Sequence, residues 1–324
     1  MALLIAGAAA TLHFFRANLN NGWSDFTPLW QAARLMMSGQ DPYQLIGPDK
    51  LYDSQYPMYY PATTFVSVAP FALIPSFQWA GAAFVFVSCF LLAYGCTSTG
   101  WHMLPIFPSI AFLTSATLGQ WSIVITAMFF LPALGFLSFA KPQSAIPVVL
   151  SSERRLTYVA TVIGGLSLVL ASLLLMPAWP REWWGMARSS PDFVPPLMRF
   201  AGFAIPVVLL RWRRPESWLV LLSACVPQTW PPYNGLVLMA VAKTYRQASF
   251  LSLTSSASWI LFAWFADGLG QARERVMMAA VLNLGGYLPA ALIILRRPNT
   301  GSGPLALAWL VERISPRGSQ PVSS

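Results

Sequence analysis

The sequence predicts an all-α protein: a polytopic bundle of roughly 10–12 transmembrane helices with an amphipathic surface helix after the first span. Three observations carry that prediction. The 324-residue chain is 56% hydrophobic but only 10% charged, with a mean hydropathy of +0.56; a soluble domain carries about 25% charged residues. Apolar runs of roughly membrane-spanning length recur from end to end. Most basic residues sit in short loops between those runs, where orientation signals lie, so the net charge of +9 does not call for nucleic acid.

The first apolar run, residues 1–15, lacks a basic leading region. Ala8-Ala9-Ala10 resembles a signal-peptide cleavage site, but the run is read here as an uncleaved first span. Residues 16–60 form the largest loop. Within it Pro28 suits the first turn of a helix. Leu29, Ala32, Ala33, Met36 and Met37 recur with the period of an amphipathic helix. Gly39 suits a left-handed cap, and Asp41-Pro42 opens a turn. Asp25 therefore stands at the mouth of a helix lying on the membrane surface, a position suited to chemistry on a lipid head group.

Residues 61–76 and 77–96 read as a helical hairpin joined at Pro75. The runs 103–118 and 121–139 are separated by Gly119-Gln120. Lys141-Pro142 precedes a short apolar piece ending at Leu150, and 156–175 is a clean span. Residues 176–192 read as an aromatic loop with Trp179, Trp183 and Trp184, side chains that favour the bilayer interface. Spans over 193–210, 217–230, 233–242, 251–265 and 276–295 complete the membrane domain, 1–297. A polar cytoplasmic tail, 298–324, follows, disordered at its end. No internal repeat, coiled coil or soluble domain is visible.

Placing Arg154-Arg155, the 211–214 cluster, the 243–246 cluster and Arg296-Arg297 in the cytoplasm satisfies the positive-inside rule for one topology of roughly twelve crossings. Residues 142–153 then make a short crossing, or else a re-entrant segment that lowers the count, and the N-terminus is inside. Asp25, Lys141, the Trp183 loop and Tyr233-Asn234 all face the other side.

Ordered along the chain, Asp25-Phe26, Trp30, Ala32-Ala33, Gly39, Pro42-Tyr43, Tyr60-Pro61, Ala69-Pro70, Ile74-Pro75, Gly119-Gln120 and Lys141-Pro142 resemble glycosyltransferase family 87. Its members are multi-span GT-C enzymes related to polyprenyl-phosphate-mannose-dependent mannosyltransferases. The specific likeness covers about the first half of the chain; residues 227–236 are loosely similar. This chain has Ala62 where the family usually has a second proline after Tyr-Pro. It has Ser122 where the family usually has asparagine, and a shorter interval between Gly119-Gln120 and Lys141-Pro142.

The resemblance implies transfer of a sugar, mannose above all, from a polyprenyl-phosphate donor to a glycolipid or glycan acceptor. No cofactor is implied beyond that co-substrate. The site would lie on the extracytoplasmic face of a bacterial inner membrane. Asp25 would be the general base that takes the acceptor's proton; read from its residues alone, it is a helix N-cap. A phosphate is already a good leaving group, so the second carboxylate of a glycosidase is not required.

Lys141, between apolar neighbours, is costly at membrane depth unless it faces a polar cavity or an anion, such as a lipid phosphate. The alternative is snorkelling to the interface. Arg34 is a second phosphate candidate, or else a solvated helix arginine. Tyr60, Gln120, Tyr233 and Asn234 are candidates to orient sugar hydroxyls, or else to satisfy helix ends. Arg199 reads as a charge within a span or else near the outer interface, and the tryptophans of the Trp183 loop as interfacial side chains, with stacking on sugar rings the alternative.

His13 and His102 are isolated, and Cys89, Cys96 and Cys225 read as small buried hydrophobes, so no metal site is expected. No Asp-x-Asp, Walker or Gly-x-Gly-x-x-Gly motif is present, which argues against a nucleotide-sugar donor and an ATP-driven pump. Two other readings stand beside the enzyme: a transporter or flippase of a lipid-linked sugar, and a degenerate family member with a binding role.

Overall fold

The computed structural model describes residues 1–19, 24–54, 56–188, 194–228, 232–266 and 271–308, the last segment without the side chains of 271–275 and 279. Its regular structure is almost entirely helical. The one sheet among the described residues is a parallel pair of two-residue strands, Ile46–Gly47 with Tyr52–Asp53.

The chain begins with α1 (Ala2–Leu19). The surface helix α2 (Thr27–Met37), the short α3 (Pro42–Leu45) and α4 (Ala62–Ala72) follow, and then the long α5 (Phe77–Thr99). Helices α1 and α5 pack along their lengths. The buried stripe of α1 is Ala6, Ala9, His13 and Ala17; the alanines admit close approach, and the His13 ring fits against Gly81 of α5. Helix α2 starts with proline in its first turn, and Gly39 follows it at φ +74°, as its sequence predicts. Leu29, Ala32, Ala33 and Met36 are buried, but Met37 is exposed and Leu35 takes its place in the stripe. Asp41 caps α3, its carboxylate accepting from the Tyr43 N–H at 2.9 Å.

The middle of the chain departs from the predicted series of full spans. It comprises α6 (Ile110–Leu118), α7 (Ser122–Phe130), α8 (Pro142–Leu150) and α11 (Pro215–Cys225), with 3₁₀ segments Trp101–Ile106, Pro132–Phe139, Gly202–Arg211 and Pro232–Val241. At 1.5 Å per residue, a nine-residue helix rises about 14 Å, half the ~30 Å hydrocarbon core. Prolines 105, 132, 147, 206 and 232 and the left-handed Gly119 interrupt runs that remain continuous in hydropathy.

Among the described residues, five helices are long and apolar enough to cross a membrane: Ala2–Leu19, Phe77–Thr99, Arg155–Leu175, Tyr245–Phe265 and Val276–Leu295. The chain is thus an all-α integral membrane protein; among the described residues, five unbroken helices reach span length where ten to twelve crossings were expected, the rest of the apolar runs being divided into shorter pieces. Arg155–Leu175 is α9 and Tyr245–Phe265 is α12. The last span joins α13 (Gln271–Leu282) to α14 (Leu288–Leu295) through a π turn, Asn283–Tyr287.

The predicted aromatic loop contains a helix, α10 (Trp179–Arg188). Its charged and aromatic residues segregate by face once wound at 3.6 residues per turn, a pattern that composition alone conceals. Arg199 is not within a helical span. It lies in the turn before the 202–211 segment, donating to the carbonyls of Val194 and Gln228 at 3.1 Å each.

The four basic loops meet at one end of the molecule. Arg211 donates to the carbonyls of Leu295 (2.8 Å) and Arg297 (2.5 Å), and Arg214 donates to that of Pro298 (2.7 Å). Buried Glu216 pairs with Lys243 at 3.1 Å and Arg297 at 3.5 Å. Residues 298–308 fold back over this end, with Gly303 N–H donating to Arg213 and Leu305 N–H to Ser152. Residues 309–324, the rest of the expected tail, lie outside the described segments.

Candidate functional site

Helices α7, α8 and α11 and the 232–241 segment pack side by side as a short inner bundle. Lys141, Tyr233 and Gln120 stand at or just before the N-terminal ends of three of these elements. Helix α6 ends at Gly119, whose φ of +68° turns the chain and delivers buried Gln120 inward. The Gln120 N–H donates to Ser115 O at 2.9 Å, which closes the cap.

The Gln120 side chain bridges two charges. Its Nε2 donates to Asp25 Oδ2, and its Oε1 accepts from Lys141 Nζ at 3.4 Å. The Lys141 ammonium lies 5.6 Å from the Tyr60 ring centre and 5.7 Å from that of Tyr233, within cation–π range. Five of the predicted site residues therefore converge: Asp25, Tyr60, Gln120, Lys141 and Tyr233. Lys141 is only 8% exposed, so it does not snorkel. Asp25 keeps a partial opening to the surface.

Asp25 is not the N-cap of α2. Phe26 holds that position, and Ser24 and Thr27 bond through their hydroxyls at 3.0 Å. Phe26 is fully buried, stacked on Phe84 at 4.8 Å. A Cβ at Gly119 would stand 2.8 Å from Phe26 Cβ and 3.1 Å from the His13 ring. This tight contact sets the Asp25 backbone against the Gly119 turn. Gly119→Ala is expected to cost about 1–3 kcal/mol from the left-handed backbone alone, with the clash in addition. The check is thermal denaturation of the purified protein beside Gly7→Ala, a position with open space, which should leave the midpoint unchanged or raised.

Tyr60 reaches Lys141 because two threonines clamp the preceding 3₁₀ segment. Thr63 Oγ1 donates to Phe139 O at 2.5 Å, and Thr64 Oγ1 donates to Ala140 O. Both threonines are buried, and they satisfy carbonyls that the segment's end leaves free. Thr64→Val keeps the shape but strands a buried carbonyl. It should destabilise by about 1–3 kcal/mol, read as a lowered denaturation midpoint. No shift would show that water replaces the hydroxyl.

Electrostatics follow from burial. Loss of hydration pushes the Asp25 carboxyl above the ordinary carboxylate range, against the opposing pull of Lys141, Gln120 and Arg16. Burial lowers the Lys141 ammonium to about 8, opposed by the Asp25 charge. Burial and the neighbouring carboxylate push the Tyr60 phenol up, leaving it a neutral donor.

The remaining candidates are placed differently. Arg34 is exposed on α2, its guanidinium 4.9 Å from the Trp30 ring centre, and is not drawn into the cluster. Asn234 lines a narrow cleft of about 20 Å³ beside the cluster, with Ser122, Gln143, Ser144, Ser223 and Gln228. Ser122 bonds the Ser115 hydroxyl at 2.9 Å, and Ala62 is buried at the start of α4. Trp183 of α10 donates to Tyr59 O at 2.8 Å, next to Tyr60. Cys89 and Cys96 are buried, but Cys225 is exposed.

Sequence reasoning missed two supporting residues of α1. His13 is buried, with Nδ1 within 3.2 Å of Ala116 O and 3.1 Å of Thr117 O, so that nitrogen carries the proton and donates. Arg16 donates to Thr117 O at 3.4 Å and adds positive potential at Asp25. Neither residue carries a local signal, because the partners are carbonyls freed by the Gly119 turn about a hundred positions away. No protein-family model, curated protein or solved structure matches the chain.

Proposed function

We propose that this protein is a membrane glycosyltransferase that moves a sugar, mannose first among them, from a polyprenyl-phosphate donor to an acceptor hydroxyl. The observation that carries the reading is the convergence of Asp25, Gln120 and Lys141 under two tyrosine rings. It joins a partly open base to a buried cation, the two charges that this reaction requires. The likeness of the first half of the chain to glycosyltransferase family 87 supports the same reading, and the GT-C architecture is part of the proposal.

Asp25 takes the proton of the acceptor hydroxyl as its oxygen attacks the anomeric carbon. The bond from that carbon to the phosphate oxygen breaks, and the electron pair leaves with the phosphate. Lys141 faces the developing charge. Gln120 holds carboxylate and ammonium apart at a fixed spacing, so that neither is consumed by direct pairing. Tyr60 and Tyr233 wall the site with ring faces and supply hydroxyls. The glycolipid or glycan acceptor would approach from the extracytoplasmic side of a plasma membrane, opposite the gathered basic loops.

A second reading, translocation of a lipid-linked sugar, draws on the shortness of the inner bundle, which has a polar cluster at each end. The test is transfer of labelled sugar from polyprenyl-phosphate-mannose to membrane acceptors by the purified protein in proteoliposomes. Asp25-dependent transfer supports the enzyme. Translocation of the labelled lipid without transfer, equal in wild type and Asp25→Asn, would overturn it in favour of the flippase.

A further inference from the structure

At the end of the inner bundle away from Asp25 lies a second polar cavity, of about 280 Å³. Arg154, Arg214 and Lys243 line it, together with Ser151, Glu153 and Glu216. Helix α8 runs from Lys141 at one site to Ser151 at the other, nine residues or about 14 Å of rise. The cavity is therefore separate from the Asp25 cluster, and its occupant does not depend on that reading.

We infer that this cavity is a binding site for a phosphate group. Its charge balance is the first reason. Glu216, 3% exposed, is already engaged by Lys243 and by Arg297 behind the wall, so it anchors a cation rather than facing the cavity as a free anion. Glu153 meets only the Ser302 hydroxyl, at 3.5 Å. Three cations line the cavity against two carboxylates, and Arg297 adds a further positive charge behind the wall.

Donor geometry is the second reason. Arg154 spends one N–H on Phe130 O at 3.0 Å, and Arg214 spends two, on Pro298 O and Thr300 Oγ1. A guanidinium has five N–H donors, so each arginine is tethered at the cavity by these bonds and retains donors for an oxyanion. The ligand is a phosphate ester of a lipid head group or a free phosphate. Basic pockets between helices on the positively charged side of a membrane protein suit the former.

The experiment uses the purified full-length protein in detergent. Binding of a fluorescent dioleoyl phosphatidylglycerol is compared with that of the same label on dioleoylglycerol, which lacks the phosphate. Inorganic phosphate serves as competitor. The phosphatidylglycerol is expected to bind at least about tenfold more tightly than the diacylglycerol, with Arg154→Gln and Arg214→Gln each weakening it by about tenfold. Arg155→Gln, next door but outside the lining, should leave it unchanged. Displacement by inorganic phosphate assigns the site to the free ion, and resistance to displacement assigns it to a lipid head group. Equal binding of the two lipids by wild type, with no binding of inorganic phosphate, would overturn the inference whether or not the variants fold. So would an equal loss in Arg155→Gln, since surface charge alone would then account for the affinity.

Discussion

Asp25→Asn will lower sugar transfer by about 10²–10⁴-fold, the range that a positioned general base supplies, with binding of the polyprenyl-phosphate donor retained. Asparagine is close to isosteric and keeps a hydrogen-bonding group toward Gln120, but it has no lone pair basic enough to take the acceptor's proton. In the proposed mechanism the acceptor is activated only when Asp25 is ionised, and burial raises its pKa above the ordinary carboxylate value. Transfer should therefore be full well above that raised pKa and fall as the pH drops through it. The acid limb stands higher than for a solvated aspartate. Measured rates for wild type and variant across the acidic range provide the check. Equal rates in the two proteins would take Asp25 out of the mechanism.

Lys141→Gln should cost transfer about 10²–10³-fold, the scale for removing one preorganised donor to a developing oxyanion. A second signature distinguishes it from general damage. Lys141 is the largest influence holding the Asp25 carboxyl down, so its removal should move the acid limb of the pH profile to higher pH. Lys141→Arg keeps the charge and should hold the limb near its wild-type position. If the rate drops while the limb stays in place in Lys141→Gln, Lys141 acts on the substrate without sensing Asp25. If neither moves, it serves neither role.

Hydropathy and periodicity made the membrane character of the chain legible, because burial in lipid is a composition-driven effect that every apolar residue reports. The surface helix α2 was readable to its ends, since Pro28 and Gly39 act through their own backbone and the apolar stripe follows from 3.6 residues per turn. The basic loops were readable as one set for the same kind of reason. The single-residue slip from Met37 to Leu35 shows where local pattern ends: which flank of a stripe is covered depends on the partner, here α4.

The broken runs in the middle of the chain were not legible in the same way. A window of apolar residues has the same mean hydropathy whether it forms one helix or two short pieces. Continuity is decided at Gly119 and the prolines, and by whether neighbours can satisfy the freed carbonyls. Thr63, Thr64, His13 and Arg16 do so here. Sequence by itself thus determined the solvent the protein lives in, the face its cations share and the identity of the candidate charged residues. Only the tertiary structure decided that Asp25, Gln120 and Lys141 meet while Arg34 stays outside. That meeting depends on side-chain bonds to distant carbonyls and on a close Phe26–Gly119 contact, long-range interactions that leave no periodic trace along the chain.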